Sequence, residues 1–360
     1  MKDHSCAIVG LGGMGNWHRE LICGQGNWNN HDCGPIENLQ LAGCFDISEE
    51  RQQFARSVGV HAYNSYTELL ADPKVELVIC ATPNDAHKQV VIDALQAGKH
   101  VVCEKPAALS SAEFAKMVDT AKQCGRLLTV HQNRRWDEDY LTIKKLYEEK
   151  ALGEMFRIES RVQGCRGIPG DWRQDPMRGG GMVLDWGVHL LDQALMMIPE
   201  KVRTVYATFT NITNELVEDG FTVELTFESG LKFIVEVGTS NFVSLPRWYA
   251  LSRDGTAVIE DWRYAGKVVR ITNWDKNDAV PIRTAAGLTK TMAPRTDDTI
   301  ATEPLPLVSA DIRDYYRNVL AAIDGEENLI VTLPQVMRVM KLMEAVFDSA
   351  RIGQVVPFEV

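Results

Sequence analysis

Along the first 130 residues, short apolar runs alternate with helical spacing. Cys6–Val9 is a brief apolar run that stops at Gly10, and Leu39–Phe45 is a second, followed by the polar helical stretch Glu49–Ser57. Val75–Cys80 is apolar except for Glu76, Asn84–Ala97 reads as a helix ended by Gly98, and His100–Cys103 and Leu127–Val130 are further apolar runs. Ser65-Tyr66-Thr67-Glu68 and Ser110-Ser111-Ala112-Glu113 have capping-box spacing, in which serine and glutamate satisfy the first free N–H groups of a helix. Strands this apolar, alternating with helices, predict a parallel sheet covered on both faces and joined by right-handed crossovers.

From about residue 131 the pattern changes. Helices are expected over Asp137–Lys150 and Gly179–Ile198, the second stopped by Pro199. Strands follow at Val202–Thr210, Phe221–Glu228 and Leu231–Val237, with Glu228-Ser229-Gly230 as a hairpin turn. Trp248–Arg253 leads to a turn at Asp254-Gly255, and Asn273–Pro306, with four prolines, reads as loop. Two helices, Asp311–Ile323 and Leu333–Ala350, finish the chain. This is the pattern of an α+β unit on an antiparallel sheet, so the expected domains are 1–130 and 131–360. The length of 360 residues agrees, because single cores stop growing at roughly 250–300 residues. The strands between Val202 and Val237 carry apolar residues on both parities, which predicts a homo-oligomer formed through that sheet.

Charge narrows the function classes. With 38 basic and 49 acidic residues the chain carries a formal charge of −11, which argues against a general binder of nucleic acid or anionic membrane. No apolar run approaches the roughly 20 residues of a membrane helix, and the N-terminal run is too short for a signal peptide; a cytoplasmic protein is expected. Eight cysteines include no C-x-x-C pair and read as reduced and buried. His31-Asp32-Cys33 is the closest approach to clustered metal ligands, and no metal is expected.

Gly10-Leu11-Gly12-Gly13-Met14-Gly15 is a G-x-G-x-x-G turn directly after a strand and directly before a helix. Its first glycine makes the tight turn, the second lets backbone approach a pyrophosphate, and the third permits close helix packing. Asp46, followed by Ile47, ends the second strand, where a carboxylate accepts from a ribose 2′-hydroxyl and repels a 2′-phosphate, so NAD is favoured over NADP. The 31-residue gap from Gly15 exceeds the usual spacing of about 20, and the polar Gly24–Asn38 insertion accounts for the excess. Thr82-Pro83-Asn84 and Glu104-Lys105-Pro106 lie at carboxyl ends of parallel strands, where open α/β sheets bind ligands. Asp185, His189 and Asp192 fall on one narrow stripe of an otherwise apolar helix, which implies a lined cavity or an internal network.

Together these motifs resemble the Gfo/Idh/MocA family of NAD(P)-dependent oxidoreductases, over essentially the whole chain. The matching pieces are Gly10–Gly15, Thr82-Pro83-Asn84 with His87, Glu104-Lys105-Pro106, Gln132-Asn133-Arg134-Arg135-Trp136, Trp172-Arg173 and Gly179–Asp192. Gln132–Trp136 is most similar to the subgroup containing bacterial inositol dehydrogenases. The resemblance implies a Rossmann domain followed by an α+β domain on a large, mainly antiparallel open sheet that usually forms dimer and tetramer interfaces. It implies Lys105, Asp185 and His189 as the catalytic trio, with Asn133, Trp172 and Arg173 near the nicotinamide and Asp192 on the substrate side.

Alcohol oxidation requires a base for the hydroxyl proton, and histidine suits that role near neutral pH. Lys105 would hydrogen-bond the reacting oxygen, and Asp185 would orient the lysine or hold a substrate hydroxyl. The site region, including Arg134, Trp136, Arg166 and Trp186, mixes guanidinium forks with aromatic faces. This suits an uncharged carbohydrate, glycoside or cyclitol, while the arginines keep uronates and sugar phosphates open. The competing readings are an NAD-dependent glycosidase working through transient oxidation and a non-catalytic NAD sensor.

Overall fold

The computed structural model describes residues 2–28, 31–32, 34–274 and 279–359. In the first domain, β1 (His4–Val9) sits between β2 (Leu39–Phe45) and β3 (Leu77–Cys80), and β4 (His100–Cys103) and β5 (Leu128–Val130) extend the sheet in the order β2-β1-β3-β4-β5. All four pairings are parallel. The strands are almost continuously apolar because helices α1 (Gly13–Cys23), α2 (Glu49–Ser57), α3 (Tyr66–Ala71), α4 (Asn84–Gln96) and α5 (Ser111–Cys124) cover the sheet, and the side chains of β3 are fully buried. A sixth strand position is reduced to one bridge between Cys44 and Ala62.

Register brings the carboxyl ends of the strands into line. Phe45, Val9, Cys80, Cys103 and Val130 form one row across the sheet. The residues just beyond that row are Asp46, Gly10, Ala81-Thr82, Glu104-Lys105 and His131-Gln132, so residues distant in sequence open onto one edge.

The second domain contains α6 (Glu138–Glu148), β6 (Met155–Gln163), α7 (Val188–Met197), β7 (Val202–Thr210), β8 (Gly220–Phe227) and β9 (Lys232–Gly238). It continues with β10 (Trp248–Ser252), β11 (Gly255–Ile259), β12 (Gly266–Ile271), the small hairpin β13 (Ile282–Thr284) and β14 (Gly287–Thr289), and β15 (Ile300–Glu303). Helices α8 (Arg313–Ile323) and α9 (Leu333–Ile352) and the short β16 (Val356–Pro357) complete it. A nine-stranded sheet runs β15-β12-β11-β10-β6-β9-β8-β7-β16, antiparallel throughout except for the parallel pair β6 and β9. The sheet is therefore mixed.

Three expectations need correction. Strand β6 was not anticipated, because Arg157, Glu159 and Arg161 interrupt its apolar pattern; Glu159 is buried between both arginines, which pair with it. The stretch read as loop contains β13, β14 and β15, short strands with little apolar alternation. The inner face of β7–β9 is apolar, with Val205, Val223, Leu225, Phe233 and Val235 buried, while the outer face carries Tyr206, Thr222, Glu224, Ile234 and Glu236. Apolar residues on both parities were overestimated, because Thr and Glu occupy most outward positions.

The late helices return to the first domain. Ser111 donates from its amide (2.7 Å) and hydroxyl (2.8 Å) to Glu344, and the Thr129 hydroxyl donates to the Val331 carbonyl at 3.0 Å. The seven described cysteines are free thiols; Cys165 is exposed, contrary to expectation, because it lies in a loop. Cys33, and with it the His31-Asp32-Cys33 grouping, lies outside the described residues. No helix among the described residues is long and apolar enough to cross a membrane.

Candidate active site

The glycine turn is dictated by contact. Gly10 has φ +90°, and a Cβ there would lie 2.6 Å from the Ala81 carbonyl oxygen; at Gly15 it would lie 1.9 Å from that of Gly10. Around Gly12 and Gly13 a Cβ would meet nothing within 4 Å, so the backbone faces open space. Helix α1 (Gly13–Cys23) starts there with Gly12 as N-cap, no capping side chain, and half-buried Met14 in its first turn. Free N–H groups, a positive helix end and an uncrowded backbone fit the pyrophosphate of a nicotinamide dinucleotide. The Asp46 carboxylate sits at the rim, accepting from the Leu11 amide at 2.6 Å and the Ser48 amide at 2.8 Å, and Ile47 beside it is 94% exposed. Thr82 and Pro83 are half-buried on the opposite side, Pro83 as N-cap of α4 (Asn84–Gln96).

Lys105, at the end of β4, reaches into the second domain. Its ammonium donates to the Asp185 carbonyl at 2.9 Å and to Asp185 Oδ1 at 3.1 Å, while Arg173 Nε donates to Asp185 Oδ2 at 3.1 Å. Burial alone would raise the Asp185 carboxyl, but the charges of Lys105 and Arg173 outweigh it and hold it below its ordinary value. Trp172 lies under the Arg173 guanidinium, 4.6 Å from ring centroid to carbon. His189 lies deeper, 5% exposed. Burial, reinforced by the charges of Lys105 and Arg134, depresses its pKa well below 6.5, so the imidazole is neutral at neutral pH.

The expected single stripe of Asp185, His189 and Asp192 is not what forms. Gly179–Gly181 stays outside the helix, and Val183–Gly187 is a π-helical turn before α7, so rotation per residue departs from the α-helical value. Asp185 faces Lys105, whereas both Asp192 oxygens accept from Arg135, Oδ2 from Nε at 2.8 Å and Oδ1 from Nη2 at 2.7 Å. Arg135 also donates to Gln335 Oε1 at 2.8 Å, bolting the 3-10 turn Asn133–Trp136 to α7 and α9. Trp136 packs edge-on against Tyr315, 5.7 Å between centroids, and Asn133 is half-buried at the start of the turn.

Several expected cofactor residues hold the framework. The two His87 nitrogens lie 2.9 Å from the Thr82 and Pro106 carbonyls, tying the two strand-end loops together. Asn84 Nδ2 donates to the Gly179 carbonyl at 2.9 Å and joins the domains. Glu104 Oε1 is bonded by His18 Nε2 (2.9 Å) and His131 Nδ1 (2.8 Å), Oε2 accepts from the Lys105 amide (3.1 Å), and Tyr316 reaches His18 Nδ1 at 2.7 Å. Burial would raise the Glu104 carboxyl, yet His131 and His18 hold it well below its ordinary range. Sequence reasoning missed His18, His131 and Tyr316, whose partners are far away in the chain. His18, Glu104 and His131, and separately Cys80, His87 and Cys103, form compact ligand-type groups that no local spacing signals.

A cavity of about 550 Å³ adjoins the cluster, below Trp186 and at the ends of β6 and β9. Trp186 lies 6.0 Å from the His189 ring and 6.0 Å from Trp262. Arg134 stacks over Trp186 at 4.2 Å and reaches Trp262 at 5.5 Å, while its Nη1 donates to Asp137 at 2.9 Å. Trp262, in the turn after β11, had no sequence signal beyond being a tryptophan beside a turn.

Comparison with known proteins agrees with this architecture. Residues 4–132 match the oxidoreductase family with an NAD-binding Rossmann fold, and residues 140–258 match the GFO/IDH/MocA C-terminal domain. An NAD-binding protein from Listeria innocua superposes with a TM-score of 0.93 at 43% identity, covering 99% of this chain and 100% of that one. An uncharacterized oxidoreductase of Schizosaccharomyces pombe, C26H5.09c, is 39% identical over 183 residues, half of each chain. The scyllo-inositol 2-dehydrogenase (NADP(+)) IolW of Bacillus subtilis is 29% identical over 84% of both. With its glycine turn, its lysine at the end of β4 and its mixed second sheet, the chain belongs to the Gfo/Idh/MocA oxidoreductase family.

Proposed function

We propose that this protein is an NAD-dependent dehydrogenase that oxidises a secondary ring hydroxyl of a sugar, glycoside or inositol to a ketone. The observation that carries the reading is a buried neutral histidine beside a lysine whose ammonium is fixed by Asp185. When bound, the nicotinamide supplies the hydride acceptor. Lys105 donates a hydrogen bond to the reacting oxygen and stabilises negative charge as it develops there. His189 takes the hydroxyl proton at Nε2, because Nδ1 is buried with no hydrogen-bond partner among the described residues. Asp185, shared by Lys105 and Arg173, keeps the ammonium aimed. Asp46 supports NAD over NADP: its carboxylate is fixed by two amides, retains lone pairs for a ribose hydroxyl, and repels a 2′-phosphate.

The test is a panel of inositols, free sugars, O- and C-glycosides and sugar phosphates, followed by NADH absorbance and mass spectrometry of ketones. NADH and ketone from neutral rings are expected. Activity confined to sugar phosphates or uronates would overturn the substrate class, and aglycone release without NADH would replace the dehydrogenase by a glycosidase.

A further inference from the structure

The cavity beside the catalytic cluster differs in chemistry from the cluster itself. Its lining includes the Trp186 and Trp262 rings, tilted 47° to each other, and the guanidinium groups of Arg134 and Arg166, but no aspartate or glutamate, on a chain with net charge −11. Arg166 is exposed and forms no ion pair among the described residues. Guanidinium groups donate and never accept. The Gln163 amide is already bonded at both ends, to Glu236 at 2.6 Å and from the Leu245 amide at 2.7 Å. The Thr239 hydroxyl donates to the Asp219 carbonyl. The side chains therefore offer flat aromatic faces and hydrogen-bond donors, with few acceptors. A polyol needs both donors and acceptors; an acidic group needs donors alone. At about 550 Å³ the space lies within the roughly 300–1,000 Å³ of sites for drug-sized ligands, and a single ring would leave it partly empty.

We propose that this cavity is a second-ring subsite that binds a flat aromatic ring carrying an acidic group, joined to the ring oxidised beside His189. Trp186 and Trp262 provide the faces, and Arg166 meets the acid. Arg134, already bound to Asp137, keeps the two indoles in place through its stacked guanidinium. The identity of the first ring rests on the dehydrogenase reading; the subsite does not.

The probes are 4-hydroxybenzoate, the neutral 4-methylphenol and the non-planar cyclohexanecarboxylate, titrated by calorimetry into the NAD-loaded protein. 4-Hydroxybenzoate should bind saturably at millimolar concentration, at least about fivefold more tightly than either control. Trp262→Ala and Arg166→Gln should each weaken it by roughly five- to tenfold, with thermal melts confirming folded variants. In parallel, 4-carboxyphenyl and methyl glycosides of the sugar turned over in the panel are compared. The rise in KM caused by either substitution should be at least about fivefold larger for the carboxyphenyl glycoside. Equal binding of the three probes, or variants that bind 4-hydroxybenzoate like wild type, would overturn the subsite while leaving methyl glycoside turnover intact. Absence of turnover on every compound of the panel, with 4-hydroxybenzoate still bound, would overturn the dehydrogenase reading and leave the subsite standing.

Discussion

Asp192 separates a substrate-binding role from a structural one. The family resemblance places it on the substrate side, but its carboxylate is gripped bidentately by Arg135, with side chains only 2% and 8% exposed. Asp192→Ala would leave a guanidinium buried beside Tyr140 and Tyr315 without its counter-ion. Removing one partner of such a pair costs about 3–5 kcal/mol. At roughly 2–4 °C per kcal/mol for domains of 150–250 residues, the melting temperature should fall by something on the order of 6–20 °C. Replacing both partners by apolar groups, Arg135→Met with Asp192→Leu, should recover more than half of that loss, since no unpaired charge remains. Scanning calorimetry of the two singles and the double gives the cycle, and kinetics at 15 °C, where Asp192→Ala is still folded, gives KM. A variant that melts within about a degree of wild type while KM rises more than tenfold would show that the carboxylate faces substrate, and the reading of the pair as a bolt would fail.

The remaining predictions concern chemistry and pH. Lys105→Ala and His189→Ala should each lower kcat by about 10²-fold or more with NAD affinity retained; near-full turnover in either would remove that residue from the mechanism. Asp46→Ala should narrow the preference for NAD over NADP in calorimetric titration, whereas equal binding of both cofactors by wild type would refute the role of Asp46. His18 and His189 are both depressed, chiefly by burial, and the unfolded chain takes up protons at both positions near pH 6.5. Their stabilising effect is therefore complete above pH 6.5 and declines as pH falls through it towards the lower folded values. Melting temperature should drop between pH 7.5 and 5.5, and a flat profile would show that the rings are solvated.

What the sequence disclosed was what is local. The turn at Gly10–Gly15 could be read because Gly15 answers to Gly10, five residues earlier, and Gly10 to the end of the strand beside it. The capping serines Ser65 and Ser110 accept from the Glu68 and Glu113 amides as their spacing required. Lys105 and Asp185 were named from motif and resemblance, but their contact spans 80 residues and depends on how the domains meet. The stripe of Asp185, His189 and Asp192 assumed constant helical rotation, and the π turn at Val183–Gly187 breaks that assumption. The hydrogen bonds around Glu104 were invisible, because His18 lies 86 residues away and Tyr316 enters from α8.

The return of α8 and α9 has a consequence for dissection. The first domain is contiguous in its motifs but not in its packing. A fragment ending at residue 130 would lose the Tyr316 hydroxyl from His18, the Val331 carbonyl from Thr129 and the Glu344 carboxylate from Ser111. It would also expose the core face that α9 covers. The cofactor half is thus completed by segments that follow it at a distance, 202 residues on from Thr129 and 233 on from Ser111. A graft of this half onto a relative must carry residues 311–352 with it, and a nascent chain cannot finish its nucleotide-binding domain until those residues have been made.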